Sequence, residues 1–332
     1  MVGLSIALPE NYLDDEEKTL IVPRWRKELW AIEIDLLVQL DNVCRKHGIR
    51  YFCDGGTVLG AVRHGGFVPW DDDIDVIMTR SEYERLNAIA PQEFKAPYFW
   101  QTEKTDPGFG RGLARLRNSN TTAIQMYETR DGVPVYSFNQ GLFIDIFPFD
   151  NLPDNPEERK QFKAELVKIK TEITRIKANR LALKYVRARP GSILRYVIAT
   201  YYKIREILSG QDALTTAVER LHMTAQRYNG TATREMAPVA FDPNHREVLP
   251  SFFFDRHVEL DFEFLKIPVM AHYMESLAIN YGNWREHVIG ASQHGGMFLD
   301  VNHPYTEYLR ECERSGKSLV EIKRSFVRDD LP

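Results

Sequence analysis

The sequence predicts an α/β (α+β) protein, in which helices flank a mixed β-sheet and a basic helical segment is inserted. Short apolar segments alternate with amphipathic helical patterns over residues 1–150, which favours strands and helices packed in layers. A long helical stretch rich in lysine and arginine follows. We therefore divide the chain into a core (residues 1–150), a basic helical insertion (151–210) and a C-terminal part (211–332) that completes the core and the substrate site.

The first elements alternate between helix and strand. Apolar residues recur at helical spacing over residues 24–47, beginning with Trp25, and Gly48 is well placed to end this helix. Residues 49–53 then form a short apolar strand, and a second helix is predicted over residues 57–63.

Residues 73–78 alternate polar and apolar side chains and predict a further strand. Ser81 is expected to cap the next helix, with Glu84 completing a capping box. Asp150 is expected in a turn, since Pro153 follows closely. The remaining predicted elements are strands over 113–117 and 141–147, a basic helical stretch over 157–208, a hairpin over 260–268 and a helix over 271–281.

Composition excludes several classes of protein. Glycine (20), proline (17) and cysteine (3) are too few for a collagenous, disordered or disulfide-stapled chain. The 47 acidic and 43 basic residues argue against a dedicated nucleic-acid binder. The cysteines form no CxxC pair, and neither a signal peptide nor a run of about 18 apolar residues is present. A cytoplasmic protein, either soluble or peripheral on the inner face of the membrane, is therefore expected.

The densest chemical feature is an acidic segment with four carboxylates in five positions, Asp71-Asp72-Asp73-Ile74-Asp75. Asp73 and Asp75 lie two apart on the predicted strand and so share a face, which suits Mg²⁺ or Mn²⁺. Asp71 and Asp72 are expected to position the loop. The alternative is a solvated acidic turn, although the acids run directly into an apolar strand, where an unpaired charge is expensive.

A phosphate-binding turn is predicted just upstream, at Gly55-Gly56-Thr57. Glycine lets the backbone approach an anion, and the following helix offers free N–H groups. Two glycines after a strand more often form a simple turn, but their place before an Asp-x-Asp strand favours a nucleotidyltransferase-type site. Asp145, a lone acid in an apolar strand, supplies the expected third carboxylate; otherwise it is an edge-strand residue that faces water.

These segments resemble the signature of the LicD family, which includes the fukutin-related proteins. The resemblance is carried by residues Gly55–His64 and Gly66–Asp75, with Phe143–Pro148 similar to the second acidic motif and Arg115–Thr121 similar to the strand and turn between them. It covers residues 26–150 well. Further on, Tyr281–Trp284 and Gln293-His294 resemble the C-terminal segment of the family only loosely.

The resemblance implies a nucleotidyltransferase fold and a LicD-type phosphotransferase. Such an enzyme moves a phospho-alcohol from a CDP-activated donor to a glycan hydroxyl and releases CMP. Phosphocholine from CDP-choline is the usual bacterial case, and the acceptor is a cell-surface glycan, such as a capsule or teichoic acid, or its lipid-linked precursor. By the same resemblance, Asp73, Asp75 and Asp145 hold the metal, and the predicted donor and acceptor contacts are Gly55, Gly56, Thr57, Arg63, His64, Arg115, Arg117 and His294.

Individual roles remain open at this level. Asp145 is the candidate to accept the proton of the acceptor hydroxyl. Arg63, Arg115 and Arg117 suit donor phosphates, but each also suits a surface salt bridge. His64 either contacts phosphate or acceptor directly or supports the site from behind.

Three alternative functions are weighed against this one. In the first, the donor carries ribitol phosphate or glycerol phosphate instead. A nucleotidyltransferase of the same fold would transfer NMP from an NTP to a small molecule and release pyrophosphate, which product analysis distinguishes from CMP. A non-catalytic binding protein on the same fold is disfavoured, since it would be free to lose the three aspartates.

The insertion suggests a second partner. Residues 157–208 contain 14 basic and 5 acidic residues, a local charge of +9 in a chain of net charge −4. Basic amphipathic helices of this kind bind anionic membrane surfaces, or here an anionic glycan, near a lipid-linked acceptor. The alternative is an ordinary solvated helical hairpin.

Overall fold

The computed structural model describes residues 1–18, 20–185, 193–209, 212–244, 247–286, 288 and 296–329. It separates into two units. The first comprises Met1–Gln101, Ala114–Pro148 and Phe252–Pro332, and the second comprises Thr102–Leu113 and Phe149–Ser251. Helices and strands occur together in one mixed sheet-containing fold, so the predicted α+β class is confirmed.

The secondary structure of the described residues is as follows. The helices are α1 (Arg24–His47), α2 (Gly55–His64), α3 (Arg80–Glu93), α4 (Pro156–Tyr185), α5 (Ile193–Ser209), α6 (Ala213–Ala225), α7 (Tyr273–Tyr281), α8 (Tyr305–Ser315) and α9 (Leu319–Asp329). The strands are β1 (Glu16–Glu17), β2 (Ile21–Val22), β3 (Phe52–Cys53), β4 (Asp75–Thr79), β5 (Tyr98–Gln101), β6 (Ala114–Asn118), β7 (Thr122–Gln125), β8 (Thr129–Arg130), β9 (Val133–Pro134), β10 (Leu142–Asn151), β11 (Glu235–Ala237), β12 (Leu249–Pro250), β13 (His257–Phe262), β14 (Leu265–Met270) and β15 (Met297–Asp300).

A mixed sheet forms the centre of the first unit. Its strands lie in the order β13-β14-β3-β4-β10-β6-β5. The β3–β14 pair is parallel, whereas β3–β4, β6–β10, β5–β6 and β13–β14 are antiparallel. Strand β4 therefore lies between β3 and β10, which brings together the segments that carry the predicted site.

Helix α1 has the bounds that its periodicity predicts, and Gly48 follows it in the left-handed conformation (φ 60°), closing the last turn. Its apolar stripe, including Leu29, Trp30 and Leu36, is buried in the core of the first unit. Trp25 was expected on this stripe, but its side chain is 53% exposed and stacks on the guanidinium of Arg26 instead.

Three local expectations were wrong. Ser81 does not cap α3, which begins at Arg80; the carboxylate of Glu84 accepts a hydrogen bond from Arg80 (3.2 Å) instead of closing a capping box. Strand β4 begins at Asp75, so Asp73 lies in the preceding loop. Asp150 lies in β10, where its carboxylate is buried and accepts a hydrogen bond from Asn229 Nδ2 (2.7 Å).

The second unit extends beyond the predicted insertion at both ends. Helix α4 buries Phe162, Leu166 and Ile173 in one cluster with Leu214 and Leu221 of α6, so residues that follow position 210 share the core of the insertion. The last residues of β10 pair with β11, which pairs with β12. The apolar faces of α4 and α6 pack against each other, which explains why this unit is larger than the predicted insertion. The periodicity of each helix shows its apolar face but does not show which helix that face contacts.

Lys170 on α4 carries a charge in an unfavourable place. Its ammonium donates to the carbonyl oxygen of Arg111 (2.8 Å). Burial, reinforced by the positive charges of Lys177 and Arg111, lowers the pKa of Lys170 to about 7.

We expect the substitution Lys170→Met to remove a pH dependence of stability. In the unfolded chain lysine holds its proton up to about pH 10.5, whereas folded Lys170 releases it near pH 7. The unfolding free energy of the wild type should therefore rise between these pH values relative to Lys170→Met, and the penalty should be fully present below pH 7. Urea unfolding across this range measures the difference.

The matched control is Lys163→Met, which also removes a lysine-to-carbonyl hydrogen bond from α4 (3.0 Å to Asn244). The unfolding free energy of this variant should depend on pH as that of the wild type does. Equal slopes for the wild type and Lys170→Met would contradict the assignment.

Candidate active site

One face of α1 holds the acidic loop in place. Arg26, Trp30 and Glu33 lie at positions i, i+4 and i+7 and so project from the same side of the helix. Arg26 Nη1 and Trp30 Nε1 both donate to the carbonyl oxygen of Asp71, at 2.8 and 3.0 Å. The backbone at the start of the acidic segment is therefore fixed by two side chains from one helix.

The N-terminus of α2 meets the acidic segment directly. Gly55 has φ +57°, and a Cβ placed on it would lie 3.0 Å from Asp75 Oδ2. A Cβ on Gly56 would overlap Asp71 Oδ2. Thr57 Oγ1 accepts a hydrogen bond from the backbone N–H of Asp75 (3.0 Å). The glycines thus make room for two carboxylates at the positive end of the helix; their contact with donor phosphate stays a prediction.

The three predicted metal-binding aspartates lie in a loop, at the start of one strand and within a second strand. Asp73 lies in the loop, Asp75 begins β4, and Asp145 on β10 donates its backbone N–H to the carbonyl oxygen of Ile74 (3.1 Å). Burial, followed by the charge of Asp75, raises the pKa of Asp73 well above its usual value. Burial and then Asp145 do the same to the pKa of Asp75. These are neighbouring carboxylates in a poorly solvated place.

Arg115 offsets part of this negative charge. It lies opposite Asp145 in the antiparallel β6–β10 pair, and its Nε and Nη2 donate to the two carboxylate oxygens at 2.6 and 3.2 Å. Both side chains are buried. A bidentate pair of this kind fixes the orientation of the Asp145 carboxylate.

Among the described residues, Asp71, Asp72 and Asp73 bring three carboxylates close enough together to hold one cation. One oxygen from each lies within 4.8 Å of the others, and all three side chains are half-buried. Asp71 and Asp72 were expected only to position the loop, whereas their carboxylates lie beside that of Asp73. Every donor in this group, and in the predicted set, is a carboxylate oxygen, which fits Mg²⁺ or Mn²⁺.

The predicted cationic contacts differ in their surroundings. Arg63 lies in the last turn of α2, and its buried Nε and Nη2 atoms have no hydrogen-bond partner within the described part of the chain. Its burial lowers the pKa of Arg63. His64 is its half-buried neighbour. Arg117 is fully buried and donates to Gln101 Oε1 and the carbonyl oxygen of Gly141. His294 lies outside the described residues.

Glu33 was missed by sequence reasoning. Its side chain is 1% exposed, and Oε2 has no hydrogen-bond partner among the described residues. Burial, then Asp72 and Asp71, raise its pKa well above the usual value, and Arg26 partly opposes them. An isolated glutamate inside the apolar run Trp30–Ile34 was the available signal, since a buried carboxylate needs a cation or a strong partner.

Comparison with known proteins shows which family and which proteins this chain resembles. The model of the LicD/FKTN/FKRP nucleotidyltransferase domain matches residues 48–175. Lipopolysaccharide cholinephosphotransferase LicD of Haemophilus influenzae is 24% identical over 261 residues, which are 78% of this chain and 90% of that protein. Ribitol 5-phosphate transferase FKRP of Homo sapiens is 55% identical over 35 residues, which are 10% of this chain and 7% of that protein.

We expect Glu33→Gln to stabilise the metal-free protein. A glutamate whose pKa is raised on folding destabilises the folded state above its unfolded pKa of about 4.5, and this penalty grows as the pH rises. The unfolding free energy of the variant should therefore match that of the wild type near pH 4.5 and exceed it by about 1 kcal/mol or more at pH 8. Urea unfolding in the presence of a chelator measures both values.

Glu28→Gln is the matched control on the same helix, because Glu28 pairs with Arg24 (3.1 Å) away from the acidic loop. Glu28→Gln should not raise the unfolding free energy at pH 8. Addition of Mn²⁺ should reduce the difference in unfolding free energy between Glu33→Gln and the wild type. A variant less stable than the wild type at pH 8 without metal would contradict the prediction.

Proposed function

We propose that the protein is a metal-dependent phosphotransferase, because the model of the LicD/FKTN/FKRP nucleotidyltransferase domain matches residues 48–175. It moves a phospho-alcohol, phosphocholine in the first instance, from a CDP-activated donor to a hydroxyl of a cell-surface glycan or its lipid-linked precursor. CMP is the leaving group. The observation that carries this proposal is the cluster of half-buried carboxylates at the N-terminus of α2.

Asp73, Asp75 and Asp145 would hold Mg²⁺ or Mn²⁺. Their oxygen donors suit a hard cation, and their mutual repulsion favours binding one. When bound, such an ion withdraws charge from the phosphoryl oxygens and from the leaving phosphate.

The chain's own residues bind the donor and move the proton. The N–H groups in the first turn of α2, at Gly55, Gly56 and Thr57, orient the donor phosphates. Arg63, with two buried nitrogens that have no hydrogen-bond partner in the described part of the chain, supplies charge-assisted hydrogen bonds to them. Their combined effect is to hold the distal phosphorus in line with the acceptor hydroxyl.

Asp145 accepts the proton of the attacking hydroxyl. The oxygen–phosphorus bond to the acceptor forms, the bond between that phosphorus and the bridging oxygen breaks, and CMP leaves with the bond electrons. Arg115 holds the Asp145 carboxylate in one orientation through its two hydrogen bonds. Arg117 stabilises the strand behind them, since its donors are used within the protein.

Phosphocholine is the preferred donor group because the relative aligned over 90% of its own length is a cholinephosphotransferase. The short, more identical match to a ribitol 5-phosphate transferase supports ribitol phosphate, or the related glycerol phosphate, as the second candidate. NMP transfer from an NTP would release pyrophosphate, so product analysis separates it from both.

We expect Asp73→Asn and Asp75→Asn each to lower the rate of CMP release from CDP-choline in Mg²⁺ by about 10³-fold or more, since each removes a charge that would hold the metal. Chromatographic detection of CMP measures the loss, and circular dichroism checks the fold. Asp261→Asn, an exposed substitution on β13 that breaks only a surface pair with Lys266, is the control. Full activity of both site variants would contradict the metal assignment.

Ligand-induced thermal stabilisation tests the donor. With Mg²⁺ present, CDP-choline should raise the melting temperature more than CDP-ribitol, CDP-glycerol or CDP-ethanolamine at equal concentration, because the ligand with the lowest Kd for the folded state stabilises it most. A larger shift with CDP-ribitol would replace phosphocholine by ribitol phosphate. No shift with any of the four, with or without Mn²⁺, would favour a non-catalytic role.

A further inference from the structure

Helix α5 carries six large apolar side chains that are exposed. Their exposed fractions lie between 42% and 81%, whereas Ala199, on the opposite side of the helix, is 1% exposed. We define the α5 apolar face by these six residues: Val197, Ile198, Tyr201, Ile204, Ile207 and Leu208. Within the second unit α5 contacts α4, so the helix is anchored on one side and open on the other.

The spacing of this face is that of one continuous stripe. Val197, Tyr201, Ile204 and Leu208 follow one another at steps of four, three and four residues, which places them in one line along an α-helix. Single exposed apolar residues are ordinary on protein surfaces. A contiguous apolar stripe three turns long is typical of an interaction surface.

The charge around this face selects the kind of partner. The sequence of α5 contains three basic residues (Arg195, Lys203 and Arg205) and one acidic residue (Glu206). It belongs to the segment 157–208, whose local charge is +9 although the whole chain carries −4. The partner is therefore anionic, and it must also offer an apolar phase to the stripe.

An anionic lipid bilayer offers both, at the boundary between headgroups and acyl chains. A charged glycan offers the charge without the apolar phase. Across the part of the chain that the structure describes, no helix has the length and apolarity needed to cross a bilayer. We propose that α5 binds an anionic membrane surface, parallel to its plane and with the α5 apolar face inserted.

Vesicle sedimentation of the full chain tests this proposal. The wild type should pellet with vesicles of phosphatidylcholine and phosphatidylglycerol, and much less with phosphatidylcholine alone. High salt should weaken the binding, because it screens the basic residues. Leu208→Glu, at the most exposed position of the face, should lower the affinity for the mixed vesicles about tenfold or more, since it removes an apolar insertion and adds a repelled charge.

Met223→Glu on α6 is the matched control. Met223 is 75% exposed in the same unit but lies outside the α5 apolar face, so this variant should bind vesicles like the wild type. Equal loss in both variants, equal binding to the two kinds of vesicle, or no binding to either would overturn the proposal. So would light scattering that shows a dimer of the wild type and a monomer of Leu208→Glu, because the face would then join two copies of the chain.

Discussion

Repulsion between closely spaced, half-buried carboxylates is the constraint around which the first unit is organised. Asp71 lies so close to Gly56 that a Cβ there would overlap its carboxylate, and Asp75 lies in tight contact with Gly55. Burial disfavours the ionised forms of Asp73 and Asp75, and the neighbouring carboxylates disfavour them further. The positive end of α2 and the guanidinium of Arg115 relieve part of this repulsion. This arrangement costs stability, and the divalent cation that we propose for the site would offset the repulsion.

The loop that leads to these acids is held from two directions. From α1, Trp30 stacks on Phe67 with ring centroids 4.6 Å apart and also bonds the Asp71 carbonyl. From the turn between β13 and β14, Glu263 donates its backbone N–H to Gly65 (2.7 Å), and its carboxylate accepts the N–H of Phe67 (3.1 Å). Lys18 pairs with that carboxylate (3.2 Å), so its charge is compensated. Helix α1 and the β13–β14 hairpin therefore hold this loop in place, although neither adjoins it in the sequence.

How far each feature could be predicted depends on the range of the interactions that create it. The Asp-x-Asp segment and the glycines before it are recognisable because their chemistry is local. Glu33 could not be placed in the site, since one glutamate in an apolar helix does not show what it faces. Arg115 and Arg117 share a strand face, as their spacing predicts, but only the tertiary neighbours decide that one pairs with Asp145 and the other with Gln101.

By itself, the sequence determined those elements whose causes lie within a few residues. Helix α1 follows from its apolar periodicity, and its end follows from the freedom of Gly48 to adopt a positive φ. Tertiary structure decided what each face meets. The periodicity of α5 shows an apolar stripe, yet it does not show whether that stripe points into the core or towards an external surface. Contacts between distant segments decide this, because burial is a property of the packed chain and not of any one helix.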